Sequence, residues 1–207
     1  MPMDRIRNLE EAAKKSKFYN VQDPPALVLR HELVRAKLLG FTGSAQAVMQ
    51  RYPSADQSMP ARYARAIALF RKGDIKNSLP VIDSLTADLP ENPYFWELKG
   101  QALLENGRAA EAVAPLQQAL KLLPNNGLIQ ILMAQALIDT EKPANAKEAV
   151  KLLKQAQRSE GESSTTYKFL ARAYALTGDI PRAELATAEA ALLQGDRRLA
   201  IEKSKSA

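Results

Sequence analysis

The sequence contains no cysteine and only one histidine, His31. The lack of cysteine excludes structural disulfides, thiol catalysis and thiolate-bound zinc. A single histidine excludes any site that needs two imidazoles. No apolar run approaches the roughly 20 residues that cross a bilayer, and residues 1–5 lack the apolar core of a signal peptide. We therefore expect no transmembrane segment in this chain.

Catalytic motifs are also missing. The nine glycines never form a phosphate-binding loop, and a Ser/His/Asp arrangement lacks partners. The His31-Glu32 pair opens like a zinc-protease motif, but Arg35 stands where the second histidine is required. We expect His31 to be partly buried or at a helix contact. The chain is predicted to have no catalytic, metal-binding or cofactor-binding residue and not to be an enzyme.

Aromatic residues make up only 6% of the chain, and its net charge of +6 is unevenly distributed. Residues 1–58 carry a net +3 and residues 196–207 a net +2, whereas the long middle carries only +1. A nucleic-acid-binding protein concentrates cations on the binding element. The nearly neutral middle therefore argues against a nucleic-acid partner.

What the sequence does contain is an internal repeat. A set of small residues, a glycine and a proline recurs 34 residues further along the chain. Part of the set recurs once more, 71 residues after the second copy. The first set is Ala66, Gly73, Ser78, Leu85 and Pro90, the second is Gly100, Gly107, Ala112, Ala119 and Pro124, and the last is Ala171, Gly178, Ala183 and Ala190. Between them lies a longer copy, with Ala134, Ala149 and Ala156 and three extra residues assigned to the stretch 141–145.

The interval of about 34 residues between the first two sets is the period of the tetratricopeptide repeat. Trp96, Gly100 and Leu103 follow its pattern of large and small residues, and we expect Trp96 to pack in the core rather than stack on a ligand. Small residues let two helices approach closely, glycine suits the turn between them, and proline ends the second helix. The predicted fold is all-α, a right-handed superhelical stack of helix-turn-helix pairs (an α-solenoid).

The repeat pattern predicts a division into three parts: residues 1–57 as a linker helix and a degenerate helical pair, 58–195 as four repeats, and 196–207 as the start of a further, truncated helix. The four predicted pairs are 58–72 with 75–88, 92–106 with 109–122, 126–140 with 144–158, and 163–177 with 180–193. The degenerate pair is predicted at 25–39 and 43–51. A solenoid needs polar terminal caps, and since none follows, we expect the natural chain to extend beyond residue 207.

The concave face of such a stack, lined by the first helix of each pair, is the expected binding surface. By register it carries Tyr63, Ile67, Arg71, Tyr94, Glu97, Gln101, Glu105, Ile131, Gln135, Asp139, Lys168 and Arg172. This mixed lining suits an extended peptide or a partner helix. Alternatively, the face is ordinary exposed surface and partners bind elsewhere. The basic clamp of chaperone-binding repeats is absent, because Tyr63, Ile67, Glu97 and Gln101 occupy its positions.

Several segments resemble the second part of bacterial periplasmic zinc metallopeptidases of the CAAX-prenyl-protease-like, BepA-type class. They are residues 2–6, 30–41, 63–66 and, most specifically, the stretch 92–101 (NPYFWELKGQ). The resemblance implies a substrate- or partner-docking domain in the periplasm that handles outer-membrane assembly proteins. The zinc site would then lie wholly in a catalytic domain outside this chain.

Two other functions remain open. One is a stand-alone scaffold in a multiprotein assembly unrelated to proteolysis, in the cytoplasm or the periplasm. The other is an RNA-binding helical repeat, against which the neutral repeat body argues.

Overall fold

The computed structural model describes residues 2–207, and within that range the chain forms twelve helices and no strand. The helices are α1 (Pro2–Lys14), α2 (Pro25–Thr42), α3 (Ala45–Arg51), α4 (Met59–Arg71), α5 (Ile75–Asp88), α6 (Pro93–Glu105), α7 (Ala109–Leu122), α8 (Gly127–Asp139), α9 (Pro143–Glu160), α10 (Ser164–Leu176), α11 (Ile180–Leu193) and α12 (Arg197–Ser206).

Helices α4 to α11 pack as four pairs, α4 with α5, α6 with α7, α8 with α9 and α10 with α11. The second helix of each pair also packs on the first helix of the next pair, and α12 packs on α11. The predicted all-α solenoid and its four helix pairs are therefore confirmed. Two neighbouring clusters of buried side chains form a core that runs along the stack.

Local sequence signals set where the paired helices begin. The side chains of Ser58, Asn92 and Asn126 each accept a backbone N–H at the start of the first helix of a pair. Asp74 and Asp179 do the same for second helices. Such caps satisfy amide groups that have no partner inside the helix. The first helix of the second pair, predicted to start at residue 92, begins at Pro93 with Asn92 as its cap.

The turn inside each pair needs one residue in the left-handed region. Gly73, Gly107 and Gly178 supply it, with φ of 78°, 73° and 79°. The third pair has Glu141 at the corresponding place, with φ of 57°. A residue with a Cβ adopts this conformation only at an energetic cost. Glu141 is therefore a point of backbone strain that the other three turns avoid.

The three extra residues of the third repeat do not lie at 141–145, as the sequence predicted. Helix α9 begins at Pro143, one repeat period after α7 begins at Ala109, so the turn keeps the regular spacing. Instead α9 has 18 residues where α7 has 14. Arg158 stands one repeat period after Pro124, and without a proline to stop it the helix continues to Glu160.

The interpretation of α2 and α3 as a degenerate repeat pair is wrong. Helix α2 packs chiefly on α4 and scarcely contacts α3. Gly40 of α2 lies directly against Ile67 of α4, where an added Cβ would come within 2.9 Å of the Ile67 Cβ. Ile67 had been assigned to the concave face, which the first helix of each pair lines. Helix α2 therefore covers the side of α4 that was expected to be open.

Helix α1 stands apart from this arrangement, since all of its described side chains are exposed. At the other end of the chain, α12 is tied to α11 by an ion pair of 3.0 Å between Lys203 and Glu184. The predicted boundaries of the three parts stay a prediction.

The strain at Glu141 leads to a stability prediction. We expect Glu141→Gly to raise the free energy of unfolding by about 0.5–1 kcal/mol, because relief of the left-handed strain outweighs the extra freedom of glycine in the unfolded chain. Thermal unfolding followed by circular dichroism would detect this as a higher Tm. As the control, Gly107→Ala introduces the same strain into another turn and should lower the Tm; a fall in Tm for Glu141→Gly would contradict the interpretation.

Candidate functional site

Ile131 is partly buried and packs against the core. The other predicted concave-face residues separate into two stretches with different surroundings. The near stretch comprises Tyr63, Ile67, Arg71, Tyr94 and Glu97, and the open stretch comprises Gln101, Glu105, Gln135, Asp139, Lys168 and Arg172. Helix α2 engages the residues of the near stretch. Helices α6, α8 and α10 carry the open stretch, in which Glu105, Lys168 and Arg172 are exposed and the other three residues are half-buried.

Polar contacts join α2 to the near stretch. The Lys37 Nζ of α2 lies 2.9 Å from the Glu97 Oε2 and 5.2 Å from the centre of the Tyr94 ring. The Arg71 guanidinium donates hydrogen bonds to the carbonyl oxygens of Gly40 (3.2 Å) and Gly43 (3.0 Å). Arg71 and Glu97, which the sequence had assigned to a ligand-binding face, are therefore engaged by α2.

The expectation that Tyr63 and Ile67 lie on an open face is wrong, because α2 packs over them. Tyr63 is 2% exposed and Ile67 is fully buried. The Tyr63 ring meets Phe95 edge-on, with centroids 5.0 Å apart. The Tyr63 hydroxyl has no hydrogen-bond partner, and its burial, with the nearby Glu97 carboxylate, raises the pKa of this phenol above its usual range.

The open stretch keeps a mixed polar lining. Arg172 of α10 donates to Asp139 of α8 over 2.8 Å, which links the third and fourth pairs. Within α6, the Gln101 amide donates to Glu105 over 2.8 Å. Lys168 is exposed and Gln135 is half-buried. Paired charges beside amide groups offer both donors and acceptors to an extended polypeptide.

A groove runs between α2 and the beginning of α6, with a volume of about 740 Å³. One wall is formed by α2, and the other is formed by the ends of α5 and α7 and the start of α6. It is lined by Ala26, Leu29, Arg30, Leu33, Val34, Lys37, Tyr63, Leu89, Glu91, Asn92, Pro93, Tyr94 and Leu123. We call this surface the α2 groove.

Sequence reasoning missed the α2 groove, although α2 carried a signal for it. Its inward side buries Leu33 and Ala36, while Leu27, Val34 and Leu38 on its outer side are 51%, 57% and 59% exposed. A helix that is apolar on both sides has a second surface to cover. Only the position of α2 beside α6 reveals that part of this surface forms a groove.

Other residues singled out in the sequence have ordinary structural surroundings. His31 is exposed, contrary to the expectation of partial burial, and Arg35 pairs with Glu32 at 2.8 Å. Trp96 is half-buried and donates its indole N–H to the Pro90 carbonyl oxygen at 2.8 Å. Over residues 2–207 there is no cluster of three metal-ligating side chains, and no helix there combines the length and apolarity of a membrane span.

These features define a class of protein. A family model described as tetratricopeptide repeat matches residues 63–127. Together with the four helix pairs and the glycine turns of three of them, this match identifies a tetratricopeptide repeat domain. Such a domain is a protein–protein interaction module built on an α-solenoid.

One curated relative is similar in sequence over much of the chain. It is the β-barrel assembly-enhancing protease of Yersinia pestis, which is 26% identical over 145 residues. The match covers 70% of this chain but only 29% of the relative. The chain therefore spans less than a third of the length of that protein.

Solved structures share the fold at low sequence identity. MamA from Desulfovibrio magneticus RS-1 is 16% identical, with a TM-score of 0.66 over 82% of this chain and 96% of the other. A thermophilic TPR protein from Thermus thermophilus is 18% identical, with a TM-score of 0.60 over 86% of this chain and 98% of the other. At this identity, the likeness shows the fold alone.

The unpartnered Tyr63 hydroxyl generates a prediction. A buried hydroxyl without a partner costs stability, so Tyr63→Phe is expected to raise the free energy of unfolding by about 1 kcal/mol, measured by urea denaturation. Tyr63→Ala is the control, since it also removes the ring that packs on Phe95 and should cost about 3–5 kcal/mol. A clear loss of stability in Tyr63→Phe would mean that the hydroxyl does have a partner in solution.

Proposed function

We propose that this chain is the docking module of a larger periplasmic zinc metalloprotease, and that its open stretch binds an unfolded or partner polypeptide from outer-membrane protein assembly. The observation that carries the proposal is the open stretch itself. It presents an interhelical ion pair, amide side chains and an exposed lysine on a concave face that α2 leaves uncovered.

The chemistry of the open stretch favours a polypeptide in an extended conformation. Amide side chains such as Gln135 offer both a donor and an acceptor, which suits the exposed backbone of an unfolded chain. The Asp139–Arg172 pair has an arginine that is 54% exposed and a carboxylate that is 28% exposed. Charges this exposed can exchange partners at little energetic cost, so a charged ligand side chain can insert between them.

The sequence relationship supports the larger setting. The relative from Yersinia pestis is described as a protease that enhances β-barrel assembly. The aligned region corresponds to 29% of it, and this chain has a single histidine, so we place the proteolytic zinc site of such a protein in a different part of the polypeptide. In that setting the repeats select or hold the substrate while another domain cleaves it.

Arg172→Glu tests the binding surface. It breaks the ion pair with Asp139 and puts two carboxylates side by side on the concave face, so we expect the Kd for a fluorescently labelled, urea-unfolded outer-membrane β-barrel protein to rise at least five-fold. Fluorescence anisotropy after dilution from urea measures the Kd. The residue is exposed, so the circular dichroism spectrum should not change.

Arg108→Glu is the matched control. Arg108 also pairs with a carboxylate, Glu111, but within the start of α7, away from the concave face. The Arg108→Glu substitution makes the same charge change as Arg172→Glu and should leave the Kd unchanged. Equal affinity of wild type and Arg172→Glu would locate binding on another face, and equal affinity for an unfolded cytosolic protein would argue against a role in envelope protein assembly.

A further inference from the structure

The α2 groove and helix α1 both leave apolar surface exposed to water. Val34 in the groove wall is 57% exposed and Tyr94 opposite it is 44% exposed. In α1, Ile6 is 50% exposed and Leu9 is 69% exposed. Contiguous exposed apolar surface of this kind marks an interaction site.

The groove has the dimensions of a helix-binding site. Ala26, Leu29, Leu33 and Lys37 of α2 line it at the spacing i, i+3, i+7 and i+11. At 1.5 Å per residue this wall is about 17 Å long. The opposite wall is supplied by the apolar side chains of Leu89, Pro93 and Leu123 together with Tyr94. An apolar groove of this length accepts the apolar face of an amphipathic helix of about three turns.

Helix α1 presents a matching apolar face. Ile6, Leu9 and Ala13 recur at i, i+3 and i+7 and so lie on one side of the helix. The helix has 13 residues, which makes it about 20 Å long and therefore long enough to fill the groove. None of its described side chains is buried against the rest of the chain.

The charges beside the two surfaces are complementary. On α1, Arg5 flanks the apolar face on one side and Glu10 flanks it on the other, as follows from the helical periodicity. The α2 groove has Arg30 on one wall and Glu91 on the other, and both are exposed. A docked α1 can therefore bring Glu10 to Arg30 and Arg5 to Glu91.

Within one chain the two surfaces do not meet, since both stay exposed. The connecting segment 15–24 is occupied by hydrogen-bonded turns, with the Tyr19 N–H donating to Ser16 and the Val21 N–H to Phe18. It ends in the stiff pair Pro24-Pro25. A second copy of the chain can supply the helix without any change to this connection.

We propose that α1 of one copy occupies the α2 groove of a second copy, and that the exchange is reciprocal. Each copy then supplies one helix and one groove, so the arrangement closes as a two-fold symmetric dimer. The open stretch takes no part in this contact, so the dimer is independent of the docking function proposed above.

The mass of the chain in solution is the first test. Light scattering coupled to size-exclusion chromatography should give twice the 22.8 kDa of one chain at concentrations of tens of micromolar. Leu9→Glu and Val34→Glu each put a charge in the buried centre of the contact, and each should raise the dimer dissociation constant at least ten-fold. Both positions are exposed in the single chain, so the helical circular dichroism and the Tm of the monomer should be unchanged.

Leu128→Glu is the matched control, because Leu128 is an apolar residue that is 63% exposed at the start of α8, outside both surfaces. The Leu128→Glu variant should dimerise with the same dissociation constant as the wild type. A monomeric wild-type chain would overturn the proposal. So would a dimer that Leu9→Glu and Val34→Glu leave intact.

Cysteine cross-linking identifies the occupant, and the cysteine-free chain is a clean background for it. A chain with Leu9→Cys is mixed with a chain carrying Val34→Cys or, to allow for a different register, Arg30→Cys. Mild oxidation should give a disulfide-linked dimer from at least one mixture, and much less from any variant alone. A disulfide within one chain of the Leu9→Cys/Val34→Cys double variant, or no mixed dimer at either position, would refute the exchange between copies.

Discussion

At Gly100 the backbone of α6 lies so close to α7 that an added Cβ would come within 2.3 Å of the Leu116 Cγ. The rest of the stack depends on this close approach of paired helices. The corresponding positions in the first and third pairs hold small buried residues, Ala66 and Ala134. Because each pair is held at a short distance, the next pair can pack on it in the same way, and the first helices line up along one face. A larger residue at Gly100 would separate one pair and interrupt both the core and that face.

Helix α2 then divides this face into two surfaces. It packs on α4 through Gly40 and Ile67 and reaches the second pair through the ion pair between Lys37 and Glu97. The near stretch consequently belongs to the core and to an intramolecular contact, while the open stretch remains available to a ligand. The edge of α2 creates the α2 groove against α6. The open stretch is therefore a polar surface, whereas the α2 groove is an apolar one.

The part of the candidate site that the sequence could address is the register of the first helices. The repeat period aligns equivalent positions once the three extra residues of the third repeat are allowed for, so Gln101, Gln135 and Arg172 could be assigned to one face without coordinates. The same reasoning assigned Tyr63 and Ile67 to an open surface, and there it was wrong. Register states which side of a helix a residue occupies, but not whether another helix covers that side. The covering helix α2 lies outside the repeats, so the repeat period gives no information about where it packs.

What the sequence determined by itself is local: the caps at Ser58, Asn92 and Asn126, the glycine turns at Gly73, Gly107 and Gly178, and the small residues that recur once in each repeat. Each acts within one turn or one helix pair, through a hydrogen bond, a backbone dihedral or a side-chain volume. The position of α2 was decided only by the tertiary structure. Apolar side chains line both sides of that helix, Leu33 on one and Val34 on the other, so either could have been buried. In the structure, α2 buries the side that packs over Tyr63 and Ile67. The sequence could not predict this choice, because the burial of apolar area is non-directional and does not specify which surface an apolar side chain will pack against.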